Sequence, residues 1–339
     1  RLNPPCHLDG LSDDLVLRLF SRAPFVTHGT LHVVCRRLKT LLRSPAFLQQ
    51  RVDSGLAEYG LVVAGGARGG HATADCSMFT CGRWRPIMPM SSPRRAACSA
   101  IVEDEDGQPE MWVMGGYDGG NWLTTVEAYN PRTNTWRSCL PLSQGRSGAV
   151  AGVVGGRLVV AGGFGGLGVG PLTTVEAYTP TGWTPLPPLP HAANRATACV
   201  LNGRLYVMGG YHCNKLQVLE MSEENGFTWT VKADLPAHRY GAASVVHEGN
   251  LWLIGGSVGF AHSSSVATYD IYADSWGTGP AALPRASSEA QATTMNGELY
   301  ITGGTSRANW VYRNGAWVYA PDDHAPQTQW AARGSIRLG

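Results

Sequence analysis

The run LVVAGG at residues 61–66 returns five times: as MWVMGG at 111–116, as LVVAGG again at 158–163, as LYVMGG at 205–210, as LWLIGG at 251–256 and as LYITGG at 299–304. The first glycines are Gly65, Gly115, Gly162, Gly209, Gly255 and Gly303, so the spacings are 50, 47, 47, 46 and 48 residues. Four β-branched or large apolar residues followed by two glycines describe a strand that is buried on both faces and ends at a close backbone approach.

Each period carries more than its glycines. TTVEAY occurs unchanged at 124–129 and at 173–178, and SVATYD at 265–270 is a relaxed copy. Within TTVEAY, Val126 and Ala128 point to one side and Thr125, Glu127 and Tyr129 to the other, because side chains alternate along a strand. A tryptophan follows in every period: Trp84, Trp136, Trp183, Trp229, Trp276 and Trp317. Upstream of the later Gly-Gly pairs lies a further strand closed by a tight turn. Asn202-Gly203 and Asn296-Gly297 supply the positive φ that such hairpins need, and Gly155-Gly156 and Glu248-Gly249 fill the same slot. The acidic insert at 103–108 lengthens the second period and reads as a solvated turn. Four strands per unit and six units with a period near fifty define a β-propeller of six blades. In the fourth unit Met221 stands in place of the tyrosine, and Arg313-Asn314-Gly315 shortens the sixth. The first unit lacks an upstream strand. Residues 329–338 alternate Trp330, Ala332, Ile336 and Leu338 against Arg333, Ser335 and Arg337, so this segment is expected to complete blade 1 beside residues 61–66.

Residues 1–60 differ in character. They hold four of the 43 glycines and a net charge of +3, against −1 for the remainder. Periodic apolar residues predict helices over 8–52, with Ser12 as N-cap and Asp13 and Asp14 in the first turn. Pro24 ends the first helix, and Ser44-Pro45 starts another. With 15% charged residues and a formal net charge of +2, the chain lacks the footprint of a nucleic-acid binder. No stretch approaches a membrane span, and neither a nucleic acid nor a membrane is expected as partner. Eight scattered cysteines without a CxxC read as reduced thiols, which predicts a cytoplasmic or nuclear location.

The repeat resembles the kelch repeat, on its Gly-Gly pairs and spaced Tyr and Trp. The upstream segment resembles an F-box, on LDGLSDDLVLRLFSRAP at 8–24 and VVCRRLKTLLRSPAF at 33–47. Ser12, Ala23 and Leu38 depart from that pattern, which has Pro, Leu and Trp there. The expected fold is therefore mainly β: a six-bladed kelch-type β-propeller over 61–338, preceded by a small all-α F-box module over 8–52. The resemblance implies a substrate-recognition subunit of an SCF-type cullin–RING ubiquitin ligase, non-catalytic, with the F-box on a Skp-family adaptor and the propeller on a target protein. The alternative is a kelch interaction scaffold with no ubiquitin role. Leu11, Leu15, Leu19, Pro24, Leu31, Val34, Leu38 and Leu41 are the candidates for the module's core and adaptor face.

Function on a propeller sits in loops at the mouths of its channel. The loops after each Gly-Gly offer Tyr117, Trp122, Phe164, Tyr211, His212, Phe260 and Arg307 as target-binding candidates. Arg95, Arg146 and Arg239 read as one repeat position and Arg195 as two places further on. Together they form a candidate clamp for an acidic peptide, or a surface cover paired with local carboxylates. His191, His212, His238, His247 and His262 lack a second ligand at metal-site spacing, so no metal or other cofactor is expected. The Pro-rich run 185–190 reads as a linker between units. No G-x-S-x-G or phosphate-binding loop is present, and the Gly-rich run 162–170 opens no helix.

Overall fold

A computed structural model of the chain describes Ser12, Val16 and residues 59–80, 83–295, 297–320 and 331–337. Six four-stranded antiparallel sheets stand as the blades of a propeller. In blade 1 the strands are Ala332–Arg337, Tyr59–Ala64, Cys76–Thr80 and Arg83–Ile87, in that spatial order. Blade 2 comprises Cys98–Glu103, Pro109–Met114, Val126–Asn130 and Thr135–Cys139. Blade 3 runs from Val150–Val154 to Gly182–Leu186, blade 4 from Thr197–Leu201 to Gly226–Lys232, blade 5 from Ala243–His247 to Ser275–Thr278, and blade 6 from Ala290–Met295 to Ala316–Tyr319. The ring is closed by the two ends of the propeller: Ala64 pairs with Ala332 and Tyr59 with Arg337 in antiparallel register. The helical module expected over 8–52 and its eight candidate adaptor residues lie outside the described residues. Ser12 and Val16 are described, and the Val16 N–H donates to the Ser12 carbonyl at 3.0 Å, a helical bond.

The second strand of each blade is the apolar Gly-Gly run, and it is sandwiched between neighbouring blades. All six residues of Pro109–Met114 are buried. Val62 and Ala64 of blade 1 pack with Met111, Val113 and Tyr129 of blade 2. Leu61 and Val63 point the other way, with Trp84 and Ala331. Each such Val or Leu contributes roughly 1.5–3 kcal/mol by burial, so strand patterning alone supplies most of the driving force. The Gly-Gly pairs serve the joins between blades. The Gly116 N–H donates to the Arg146 carbonyl at 2.8 Å, and a Cβ on Gly115 would lie 2.5 Å from that same oxygen.

The tryptophans tie blades 2 to 6 each to its predecessor. The indole N–H groups of Trp136, Trp183, Trp229, Trp276 and Trp317 donate to the carbonyls of Met88, Leu140, Pro187, Ala233 and Ala281, at 2.7–3.1 Å. In blades 2, 3, 5 and 6 a tyrosine packs against the tryptophan, as Tyr129 does on Trp136 with ring centroids 5.1 Å apart, and in blade 1 Phe79 takes that place beside Trp84. In blade 4 the register pairs Trp229 with Leu219. Leu219, not Met221, therefore takes the tyrosine position. The longer hairpin of that blade carries Met221 two places beyond, paired with Phe227. In blade 6 Asn314 and Gly315 have φ of 48° and 81°, the positive-φ pair of a two-residue hairpin.

Candidate functional site

Antiparallel alternation puts two sets of segments on one face of the disc: the loops after the Gly-Gly pairs and the linkers that enter each blade. Each linker is held by a backbone bridge. Arg95 and Tyr117 exchange both N–H···O bonds, at 3.0 and 2.9 Å, and Ser147 and Phe164 do the same at 3.1 and 2.7 Å. One residue further along, the linkers join one another around the channel. The Gly148 N–H donates to Ala96 O, Arg195 N–H to Gly148 O, Gly241 N–H to Arg195 O and Glu289 N–H to Gly241 O, at 2.7–2.9 Å. All five of these residues have φ between 50° and 62°.

A cavity of about 530 Å³ opens beside the ring over blades 2, 3 and 4. Arg95, Tyr117, Trp122, Phe164 and Arg195 line it, with Ser147, Asn194 and Leu167. Five of the target-binding candidates thus share one concavity. Its aromatic floor is continuous: Tyr117 and Trp122 lie 5.0 Å apart and Trp122 and Phe164 5.9 Å. The Gly-rich run of blade 3 makes room for the indole, because a Cβ on Gly166 would sit 2.9 Å from the Trp122 ring. Two cations stand at its edges. The Arg95 guanidinium lies 5.3 Å over the Tyr117 ring and donates to Gly70 O at 2.9 Å. Arg195 lies 5.1 Å over the Tyr240 ring and is ion-paired with Glu289. Among the described residues, no carboxylate lines the cavity. Asp118 fastens the loop between Tyr117 and Trp122, accepting the N–H groups of Gly120 and Asn121 at 2.7 Å each. Those two donors hold its carboxyl below the usual carboxylate range.

Two candidates are not part of this surface. Arg146 is 1% exposed, donates to the Gly162 and Thr174 carbonyls and forms a 2.9 Å ion pair with Glu176. Arg239 is buried too, bonded to Gly255 O, Ser265 O and Ser265 Oγ. The residue that shares their position is Arg94, not Arg95. Arg94 donates to Gly115 O and Thr125 O and pairs with Glu127 at 2.6 Å. The clamp of four arginines is therefore two: the buried set braces the linker against the blade it enters, because the carbonyls at the blade's narrow end need donors. In blade 4 this task passes to Gln217, which exchanges hydrogen bonds with the backbone of His191.

The other candidates do not line the cavity. Tyr211 is 45% exposed and packs on Tyr240 and His212, extending the aromatic surface from Arg195. Phe260 is fully exposed at the tip of the hairpin formed by Ser257–Val258 and Ala261–His262. Arg307 is exposed on the loop of blade 6, away from the cavity lining. Glu289 was not among the sequence candidates. Its signal is positional: it sits where Arg195 sits, two residues past the bracing position, in a slot that Gly148 and Gly241 fill in their linkers. On the opposite face the acidic insert satisfies itself, Asp104 accepting the N–H groups of Asp106 and Gln108. No group of three or more metal-ligating side chains occurs among the described residues, and no helix there is long and apolar enough to cross a membrane.

The kelch motif matches residues 108–142, which hold the last three strands of blade 2, and 145–190, which hold blade 3. Human Kelch-like protein 23 is 30% identical over 223 residues, covering 63% of this chain and 38% of that protein. An F-box/kelch-repeat protein of Arabidopsis thaliana is 28% identical over 213 residues, covering 48% of this chain and 50% of that protein. The matched regions span half or less of these relatives. Among solved structures, that of YjhT superposes with a TM-score of 0.60 at 14% identity, covering 76% of this chain and 96% of that one, and it shares the fold. The chain thus carries kelch repeats, has relatives among kelch proteins and folds as a six-bladed β-propeller.

Proposed function

We propose that this chain is a substrate-recognition subunit of an SCF-type cullin–RING ubiquitin ligase, working in the cytoplasm or nucleus. The module at 8–52 docks a Skp-family adaptor, and through it a cullin. The mouth of the propeller that carries Arg95, Tyr117, Trp122, Phe164 and Arg195 holds a target protein. The observation that carries this reading is the pairing of that cationic, aromatic cavity with an F-box-like segment upstream of the same propeller. A relative described as an F-box/kelch-repeat protein supports it. The contribution to ubiquitin transfer is positional. A lysine of the target, held near the conjugating enzyme's thioester, reacts at high effective concentration, and the chain supplies no catalytic group.

A kelch scaffold without ubiquitin chemistry is the second reading, favoured by the departures at Ser12, Ala23 and Leu38 and by relatives described as Kelch-like proteins. Co-expression with a panel of Skp-family adaptors separates the two. The ligase reading expects a complex that survives purification and is lost in Leu15→Asp. Failure of every adaptor to co-purify with the folded full chain leaves the scaffold.

A further inference from the structure

The ring of five linker residues at the channel mouth runs Ala96, Gly148, Arg195, Gly241, Glu289. Each holds a left-handed backbone, with φ of 52°, 62°, 56°, 58° and 59°. Glycine adopts that conformation freely, whereas residues with a Cβ are strained in it. Two of the five slots nevertheless carry long charged side chains, and those two pair with each other across Gly241. The intervening glycines make room for them. A Cβ on Gly148 would meet Arg195 Cγ at 3.1 Å, and one on Gly241 would overlap the Glu289 carboxylate. Glu289 is buried, while a third of the Arg195 side chain faces solvent. The protein therefore keeps a strained pair at the edge of an aromatic concavity, where two glycines would satisfy the backbone better. Strain of that kind persists where the side chain has a task.

Resting on the reading that this mouth binds the target, we infer that Arg195 is an anion anchor positioned by Glu289, and that the target segment is an acidic peptide bearing an aromatic or other apolar side chain. The chemistry of the cavity sets that class. Arg95 and Arg195 flank it and no carboxylate among the described residues lines it, so its lining complements negative charge. A guanidinium presents five N–H donors, more than a single carboxylate uses, and Glu289 engages Nη2. Tyr117, Trp122 and Phe164 offer a continuous aromatic floor, and Leu167, 88% exposed, stands at the edge to close over an apolar side chain. The site is off the propeller axis, over blades 2 to 4, and does not use the arginines at 146 and 239.

Arg195→Gly alone would leave the buried Glu289 carboxylate unpaired, so the two are removed together: Arg195→Gly/Glu289→Gly takes away both side chains and the strain of both left-handed slots. A random heptapeptide library is panned on the immobilised full chain, and an enriched peptide is labelled for anisotropy. Enriched sequences are expected to combine Asp or Glu with an aromatic or large aliphatic residue. The double variant Arg195→Gly/Glu289→Gly is expected to bind the labelled peptide at least tenfold more weakly while melting at or above the wild-type temperature. Glu289→Gly is expected to weaken binding, with Glu289→Gln restoring part of it. Enriched peptides without acid, no enrichment at all, wild-type binding by the double variant, or a fall in its melting temperature alongside the lost binding would each overturn the anchor. Tighter binding by Glu289→Gly would overturn the positioning role. None of these results depends on adaptor binding, so the ligase reading stands or falls separately.

Discussion

The Arg94 guanidinium meets the Glu127 carboxylate at 2.6 Å with both side chains almost wholly out of water, 0% and 3% exposed. Glu127 also accepts the Ser91 N–H at 2.8 Å, and Arg94 caps the Gly115 and Thr125 carbonyls at 3.0 Å. One buried pair thus fastens the linker of blade 2 to the strands it precedes, and Arg146 with Glu176 repeats the arrangement in blade 3. Removing one partner strands the other charge. Glu127→Ala is expected to cost about 3–5 kcal/mol of stability, the usual penalty for an unpaired buried ion. Urea unfolding checks this, and a loss below about 1 kcal/mol, the worth of an exposed pair, would contradict it.

The blade-to-blade indole bonds make a smaller and separable contribution. Trp136→Phe keeps most of the ring but loses the 2.7 Å bond to Met88 O, leaving that exposed carbonyl to water. A destabilisation of about 1 kcal/mol is expected by the same denaturant measurement, the net worth of one hydrogen bond.

The closing strand is worth far more. Without Ala332–Arg337, the strand Tyr59–Ala64 loses its whole inner ladder and Val62 its neighbours Ala332 and Ile336. Deleting residues 329–339 is expected to lower the melting temperature sharply and broaden the transition. A truncated chain that melts like the full one would show that blade 1 stands on three strands.

Burial pushes the Cys76 and Cys98 thiols up to about 12. Both remain protonated at pH 8, and the thiolate is the reactive form. Native protein is expected to leave these two cysteines unmodified by iodoacetamide at pH 8, while protein in guanidinium alkylates them fully. Peptide mapping reads the difference at each site.

Asp118 carries the pH dependence of the cavity loop. Its carboxyl is held below the usual value by the Gly120 and Asn121 N–H groups, so the folded loop favours the ionised form. That support is fully present above the unfolded value of about 4 and is lost as pH falls through the lowered one. Amide exchange at Gly120 and Asn121 is expected to be slower in the wild type than in Asp118→Ala at pH 6. The difference is expected to vanish towards pH 2.

The propeller was legible because its packing repeats. Every blade needs the same buried strand, the same close approach at Gly115 and its counterparts, and the same indole at Trp136 and its counterparts. The arginines were not legible in that way. Arg94 and Arg95 are neighbours, and which of them braces the blade is decided by the carbonyls of Gly115 and Thr125, which only the fold brings near. A signal did exist in TTVEAY: Glu127 and Glu176 sit on strands covered on both sides and so demand buried cations. Leu219 was displaced by Met221 in the reading because the blade 4 hairpin is longer and both residues lie on the same face. Glu289 carries no motif. Its place in the ring emerges only when the linkers are superposed by their backbone bonds.

The most direct test of the account asks whether one chain bridges adaptor and target. A Skp-family adaptor is immobilised, the full chain is loaded, and the labelled acidic peptide enriched by panning is applied. The account expects peptide to be retained through the wild-type chain, lost with Arg195→Gly/Glu289→Gly although that chain stays bound, and lost with Leu15→Asp because the chain itself washes off. No retention of the chain on any adaptor, or release of the peptide when the adaptor binds, would contradict it.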